Sequence, residues 1–415
     1  MTRSLSIAVV CYPGLGGSGV VAAELALALA ARGHRIHVVA SAVPERLRAR
    51  GAAAADAIAP GITFERVEVP ASPVFEHGPY DVAVASHLVE LVRRAPVDLV
   101  HLHYAVPHAA SALLAGRVLG PAAPAMVVTL HGTDVTRLGA HPSLHPVIAF
   151  AVAAADGVTA PSRYLAGVAA ERFGIPAERI EVLPNFVDLA RFRPPPGGRD
   201  RVASGLAALF SDGAGEGPIL FHVSNFRPIK RPLDLIDVLA RVRRTLPARA
   251  VLVGDGPERD AVAARARELG VGDAVCMLGR RDDFCTLLGH ADGFVLPSEN
   301  EGFGVAALEA MAAGVPVFGY RVGGLPEVVG EGAGVLVPCG DVDALAQAVV
   351  EGVGDRAVRD DLGRAARARA EAGFGRDAAA VRYESYFHDI LSRRAAPATP
   401  ASGTRTIPMK GSASI

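Results

Sequence analysis

The chain has 415 residues, half of them apolar, and a formal net charge of -1. It is too long for one ordinary core and suits two domains; without a basic stripe interleaved with aromatics, the composition argues against nucleic acid as a partner. The four cysteines, Cys11, Cys276, Cys285 and Cys339, are scattered, with no Cys-x-x-Cys and no histidine cluster at ligand spacing, so neither a disulfide framework nor a structural zinc is expected.

At the amino terminus, Arg3 and the apolar run Leu5 to Cys11 have the look of a short signal peptide. The run breaks at Tyr12-Pro13-Gly14 with no cleavage-like site after it, so it reads as a first strand, Ile7–Cys11. No later window approaches the ~18 consecutive apolar residues of a membrane span. A cytoplasmic protein without membrane insertion is expected, and a homo-oligomer is left open. A predicted helix, Gly19 to Ala31, and predicted strands Arg35–Ala40, Leu99–Leu102, Met126–Leu130 and Gly157–Ala160 follow. Strands alternating with helices indicate βαβ units on a parallel sheet. Pro/Gly-rich segments begin at Arg193 and Ser211, and a fresh strand, Ile219–Val223, comes after them; a domain boundary is expected there, near 195. The second series has predicted strands at 250–253, 274–278, 293–296, 315–319 and 334–337. The expected class is therefore α/β: two facing doubly wound domains, 1–195 and 196–376, with ligands at the carboxyl ends of their strands. A last helix, about 377–393, is expected to pack back on the first domain. The tail 395–415, of small polar residues, Pro and Gly, is expected to be disordered.

Gly14-Leu15-Gly16-Gly17-Ser18-Gly19 lies between a strand and a helix and satisfies G-x-G-x-x-G. That fingerprint also wants an acid at the end of the second strand to hold an adenosine ribose. Here the strand ends Val38-Val39-Ala40-Ser41, which counts against NAD. The glycines still let backbone approach a diphosphate at a helix N-terminus, with Ser18 either an anion contact or merely a cap. His131 follows the predicted strand Met126–Leu130, at the end where a first-domain ligand should sit; a structural histidine is the alternative. Asn225, Arg227 and Lys230 follow the first strand of the second domain, where cations could neutralise a leaving diphosphate or simply form a solvated run. Glu301 and Glu309 belong to the run Glu301-Gly-Phe-Gly-Val-Ala-Ala-Leu-Glu309, on a loop and on a short predicted helix, Val305 to Ala313. A carboxylate among Val, Ala, Leu and Met needs a partner if buried, and one carboxylate can accept both hydroxyls of a ribose.

Together these segments resemble the retaining glycosyltransferases of the GT-B fold, with two facing Rossmann-like domains, in the family marked by paired glutamates separated by seven residues. Cys11-Tyr-Pro-Gly-Leu-Gly-Gly-Ser-Gly-Val-Val, His103-Tyr-Ala-Val-Pro-His-Ala, Leu130-His-Gly-Thr-Asp, Ser224-Asn-Phe-Arg-Pro-Ile-Lys-Arg and Glu301 through Gly323-Gly-Leu-Pro-Glu match the bacillithiol-pathway members of that family. The resemblance implies a hexosyltransferase that moves GlcNAc from UDP-GlcNAc to the hydroxyl of L-malate, with no metal and no other cofactor. It implies that Glu309 holds the ribose and that Glu301 with the backbone of Gly302, Phe303, Gly304 and Val305 holds the GlcNAc. Lys230, helped by Arg227 and Asn225, would hold the diphosphate, with the loop at Gly16 and Gly17 closing on phosphate. His131 would face the donor sugar, and Ser18, Tyr104, His131 and Thr133 would form the malate site; His131, Lys230 and Glu301 are the candidates for the chemistry. Two departures stand out: Asn225 where many relatives have Arg, and a predicted helix Leu144–Ala155 with no Arg or Lys, although relatives tend to carry basic residues there. The competing readings are a transferase of the same fold with an inositol phosphate, lipid or polysaccharide acceptor, and an NAD-binding dehydrogenase or nucleotide sensor resting on the glycine loop alone.

Overall fold

Short buried runs rich in Val, Ile and Leu, too apolar for a half-exposed sheet, form two parallel sheets covered on both faces. The computed structural model describes residues 3–14, 17–48, 58–70, 77–198, 205–210 and 217–395. Gly16, most of the Pro/Gly-rich segment from Ser211, and the tail from 396 onward lie outside them. The first sheet comprises β1 (Ser6–Val10), β2 (Arg35–Ala40), β3 (Ile62–Arg66), β4 (Leu99–His103), β5 (Ala125–Thr129), β6 (Gly157–Ala160) and β7 (Ile180–Val182). Their order is β3-β2-β1-β4-β5-β6-β7, with every pairing parallel. The second comprises β8 (Ile219–Val223), β9 (Arg249–Val253), β10 (Val275–Gly279), β11 (Gly293–Leu296), β12 (Val317–Tyr320) and β13 (Gly334–Val337), ordered β10-β9-β8-β11-β12-β13, again all parallel.

Each sheet reverses its winding once, at β1/β4 in the first and at β8/β11 in the second. Outside the carboxyl ends of strands at such a switch point, the loops part and leave a crevice for ligand. The loops after β1, β4, β8 and β11 carry Ser18, Tyr104, Lys230 and Glu301, so the topology alone collects most of the candidate residues.

Two edge strands, β3 and β7, escape the sequence reading. Their inner and outer residues alternate between buried and exposed and offer no continuous apolar run. The two cores meet just before the Pro/Gly-rich segment that begins at Arg193. Leu183 and Phe186 pack in the first domain's core, whereas Val187 and Phe192 already pack in the second's. The chain changes cores between Phe186 and Val187, and the Pro/Gly-rich stretch from Arg193 belongs to the second domain's surface. At the crossing, Val187 pairs with Gly375 on the returning chain: the Val187 amide donates to Phe374 O and the Arg376 amide to Val187 O.

The returning helix, Arg376–Ala395, lies on the first sheet, where Ala379, Tyr383, Phe387 and Ile390 share a core with Leu5, Ile7, Val9 and the helix Gly17–Ala31. Gly157 permits this contact, since a Cβ there would stand 2.7 Å from the Tyr386 hydroxyl and 2.9 Å from Ile390 Cδ1. Phe387 is fully buried, edge-on to His101. Phe387→Ala is expected to destabilise the first domain by about 3–5 kcal/mol, read as a lowered urea midpoint for that domain's transition. Among the described residues, no helix is long and apolar enough to cross a membrane.

Candidate active site

The carboxyl ends of the two sheets face each other and touch. The Ser162 hydroxyl, which caps the helix Arg163–Phe173 by accepting from the Leu165 amide, donates to Gly302 O at 2.7 Å. The Glu327 carboxylate accepts from the amides of Arg163 and Tyr164 at 2.9 and 2.8 Å. Gly302 must lack a side chain, because a Cβ there would stand 2.9 Å from the carbonyl oxygen of His131.

On the first-domain side, the helix after β1 begins at Gly17, and Gly17 lies against Val305 of the opposite domain. Gly19 packs so closely that a Cβ would reach within 2.4 Å of Gly14 O, which explains the third glycine of the loop without any dinucleotide. Burial, with Asp134, raises the Tyr104 pKa, and the side chains of Thr133, Ser18 and, from the second domain, Arg227 act against that rise. The Tyr104 ring stacks on His131 at 5.5 Å, and its backbone holds a φ of 89°, a costly conformation for a side-chain-bearing residue. Ser18, Tyr104, His131 and Thr133, from three separate loops, therefore form one cluster. Burial pulls the His131 imidazole down to about 3, leaving it neutral at any working pH.

Asp134, quoted in the sequence motif but given no role there, organises this cluster. It is fully buried, and its carboxylate accepts from the amides of His131, Gly132 and Ala105 at 3.0, 2.9 and 3.1 Å. Burial raises its pKa, and those amides oppose the rise. One side chain thus ties the loop after β5 to the loop after β4.

On the second-domain side, Lys230 Nζ donates to Glu301 Oε1 at 2.6 Å, and the Ser298 hydroxyl donates to the same oxygen at 2.7 Å. The loop carrying Lys230 is propped from below: the Ser224 hydroxyl accepts from the Phe226 amide and is 2.8 Å from buried His222, whose other ring nitrogen meets Val295 O. Asn225 and Arg227 are exposed on the same loop. Phe303, in contrast, is core: its ring packs edge-on against Phe374 at 5.8 Å, so only its backbone can face a ligand. Gly304 turns the chain with a φ of 103° into the helix Val305–Ala312, whose first helical bond runs from the Leu308 amide to Gly304 O. The amides of the first turn have no helical partner and favour an anion.

Glu309, one turn into that helix, has the partner its apolar neighbours demanded. Its Oε1 is 3.5 Å from Nη2 of Arg46 in the first domain, a residue the sequence reading passed over. Burial pushes the Glu309 carboxyl up to about 7 against the pull of Arg46 and Arg191, and Glu24 adds to the rise. The helix His145–Ala154 carries no Arg or Lys, and His145 is spent on Gly139 O at 2.8 Å. Among the described residues, no group of three or more His, Cys, Asp or Glu could hold a metal ion.

Residues 15–191 match the model of Glycosyltransferase Family 4, and residues 210–369 that of Glycosyl transferases group 1. The N-acetyl-alpha-D-glucosaminyl L-malate synthase of Bacillus anthracis is 38% identical over 388 residues, which cover 93% of this chain and 97% of the relative. The chain is a GT-B glycosyltransferase. This transferase is also 32% identical, over 81% of its length and 85% of the relative, to a GDP-mannose-dependent phosphatidylinositol monomannoside mannosyltransferase of Mycobacterium tuberculosis. Its fold matches that of Anabaena HepE, solved with UDP and glucose, with a TM-score of 0.74 at 20% identity over 93% of this chain and all of the other. A parallel sheet whose second strand ends without an acid, inside a transferase, removes the dehydrogenase reading of the glycine loop. Its substrates are small molecules, among them a nucleotide sugar.

Proposed function

We propose that this enzyme transfers GlcNAc from UDP-GlcNAc to the hydroxyl of L-malate with retention of the anomeric configuration. The observation that carries the reading is the union of Ser18, Tyr104, His131 and Thr133 into one polar cluster beside Gly302 and Val305, in a chain whose 38% identical relative is named for GlcNAc and malate. Glu309 accepts the two ribose hydroxyls. The start of the helix Val305–Ala312, Gly17 and Lys230 receive the diphosphate, and Glu301 with the backbone from Gly302 to Val305 receives the GlcNAc. The hydroxyls of Ser18, Tyr104 and Thr133 hold malate.

Charge develops on the departing diphosphate oxygen as the bond to the sugar carbon breaks, and fixed cations and amide dipoles aimed there lower the barrier. The neutral, low-pKa His131 is a poor base. The malate hydroxyl therefore attacks from the face UDP leaves, and its proton passes to the phosphate oxygen being released. The leaving charge is assigned to Lys230, Arg227 and the helix start, so transfer is expected to persist in excess EDTA. All four cysteines are free, which suits a reducing cytoplasm.

The test is incubation of the pure enzyme with UDP-GlcNAc and candidate acceptors, reading UDP release and product mass. L-malate is expected to stimulate release and give a GlcNAc-malate mass. Stimulation by an inositol phosphate or a lipid acceptor, with none by malate, would leave the donor half of the reading and remove the acceptor half.

A further inference from the structure

Behind His131 lies a row of histidines that the transfer reaction as described leaves unused. His103 Nδ1 is 3.0 Å from His131 Nε2, with the rings stacked at 28°. On its other side His103 meets the ring of His101 at 4.3 Å, and its carbonyl oxygen is 2.7 Å from His108 Nδ1. His103 is completely buried, and burial, reinforced by His101, His131 and His108, holds it far below the usual imidazole range. His101 is likewise pulled down to about 3 by burial. Both rings of the His103–His131 pair are therefore neutral, each with one N–H and one bare nitrogen, and one proton sits between Nδ1 of His103 and Nε2 of His131.

Which ring owns that proton follows from the far side of His103. Its Nε2 is buried with no hydrogen-bond partner among the described residues. If the His103 proton were on Nε2, a buried N–H would have no acceptor; orphaned N–H groups are rarer in proteins than under-used acceptors. With the proton on Nδ1, that N–H donates to His131 Nε2 and only a bare nitrogen is left without a partner among the described residues. His131 Nε2 is then an acceptor already in use, and the His131 proton must be on Nδ1.

We propose that His103 is a positioning residue that fixes His131 as its Nδ1–H tautomer, so that His131 offers substrate a hydrogen-bond donor and has no free basic nitrogen in the cleft. The inference rests on the reading that His131 faces the substrates. It adds a chemical preference: His131 recognises an oxygen acceptor, a sugar hydroxyl oxygen or a carboxylate, and takes no proton during transfer. The stacking of His131 on Tyr104 means that the same bond also fixes the plane on which Tyr104 rests.

Ring nitrogen–proton correlation spectra of the full-length chain labelled with 15N-histidine would read the tautomer without reference to activity, the His131→Gln spectrum identifying the His131 signals. The expected result is Nδ1–H for His131 in the wild type and in His103→Asn, whose amide N–H replaces the Nδ1–H donor. His103→Leu should show a tautomer mixture. Transfer kcat/KM should fall about 10- to 100-fold in His103→Leu and largely recover in His103→Asn. His131 protonated on Nε2 in the wild type would overturn the proposal even if the leucine variant fails to fold, and so would an unchanged Nδ1–H signal in a folded His103→Leu. His131→Ala separates the two claims: full activity in that variant would remove the substrate-facing reading, while the spectra judge the tautomer independently.

Discussion

Lys230→Ala is expected to lower kcat for transfer by about 10²–10³-fold while leaving the fold intact. Lys230 is the side chain whose charge meets the donor loop directly, through its 2.6 Å bond to Glu301, and it stands at the β8/β11 switch point, where the diphosphate must lie. A preorganised donor aimed at developing negative charge contributes on that scale when removed. The substitution also strips Lys230 from the buried Glu301, whose Oε1 keeps the Ser298 hydroxyl. Part of the loss is therefore misplacement of the sugar. Lys230→Arg separates the two effects: it keeps a cation but not its geometry, and should recover UDP binding more than kcat. Stopped-turnover assays for kcat, with calorimetry for UDP, would check both. A kcat within about threefold of wild type in Lys230→Ala would move the leaving-charge role to Arg227 and the helix start.

The contrast between Lys230 and its supporting residues shows what was readable in the sequence. Glu301, Glu309 and Lys230 lie on short loops directly after apolar strands, so local pattern alone puts them at the carboxyl ends of a parallel sheet. Among the described residues, eleven of the thirteen strands lie on largely apolar runs. Strands β3 and β7 do not, because an edge strand needs burial on one side only and its residues are correspondingly mixed. Asp134, His103 and Arg46 stayed without roles for a different reason. Asp134 acts by accepting amides from two loops about 30 residues apart, and His103 through a ring on the neighbouring strand's loop. Arg46 acts across the domain interface from a stretch, Ser41 to Arg48, with no periodic pattern. Pro and Gly mark where chain is exposed, whereas the change of core at Val187 is set by which sheet the side chains of Val187 and Phe192 reach.

Glu309→Gln should weaken UDP binding about 10- to 100-fold, matching the roughly 1.5–3 kcal/mol of a charge-assisted hydrogen bond, and should erase a pH dependence the wild type shows near neutrality. The carboxyl is pushed up to about 7 by burial, with Arg46 and Arg191 restraining the rise and Glu24 adding to it. Only the ionised form accepts both ribose hydroxyls. UDP affinity is therefore expected to rise as pH increases through about 7 and to fall below it; the glutamine variant should stay flat. Stability runs the other way. The folded pKa lies above the ordinary 4.5, so the contribution of neutral Glu309 is complete below pH 4.5 and is lost as pH rises through about 7. Above pH 7 the wild type holds a desolvated carboxylate 3.5 Å from the Arg46 guanidinium. The glutamine variant should then be the more stable by up to about 3 kcal/mol, read as a higher melting temperature at pH 8 and little difference at pH 5. Arg46→Ala removes the nearest restraining cation, which should move the midpoint of the affinity profile upward. The same burial that destabilises the free carboxylate strengthens its bonds to ribose. A flat wild-type profile between pH 6 and 8, or a glutamine variant that binds UDP as well as the wild type, would remove Glu309 from the ribose.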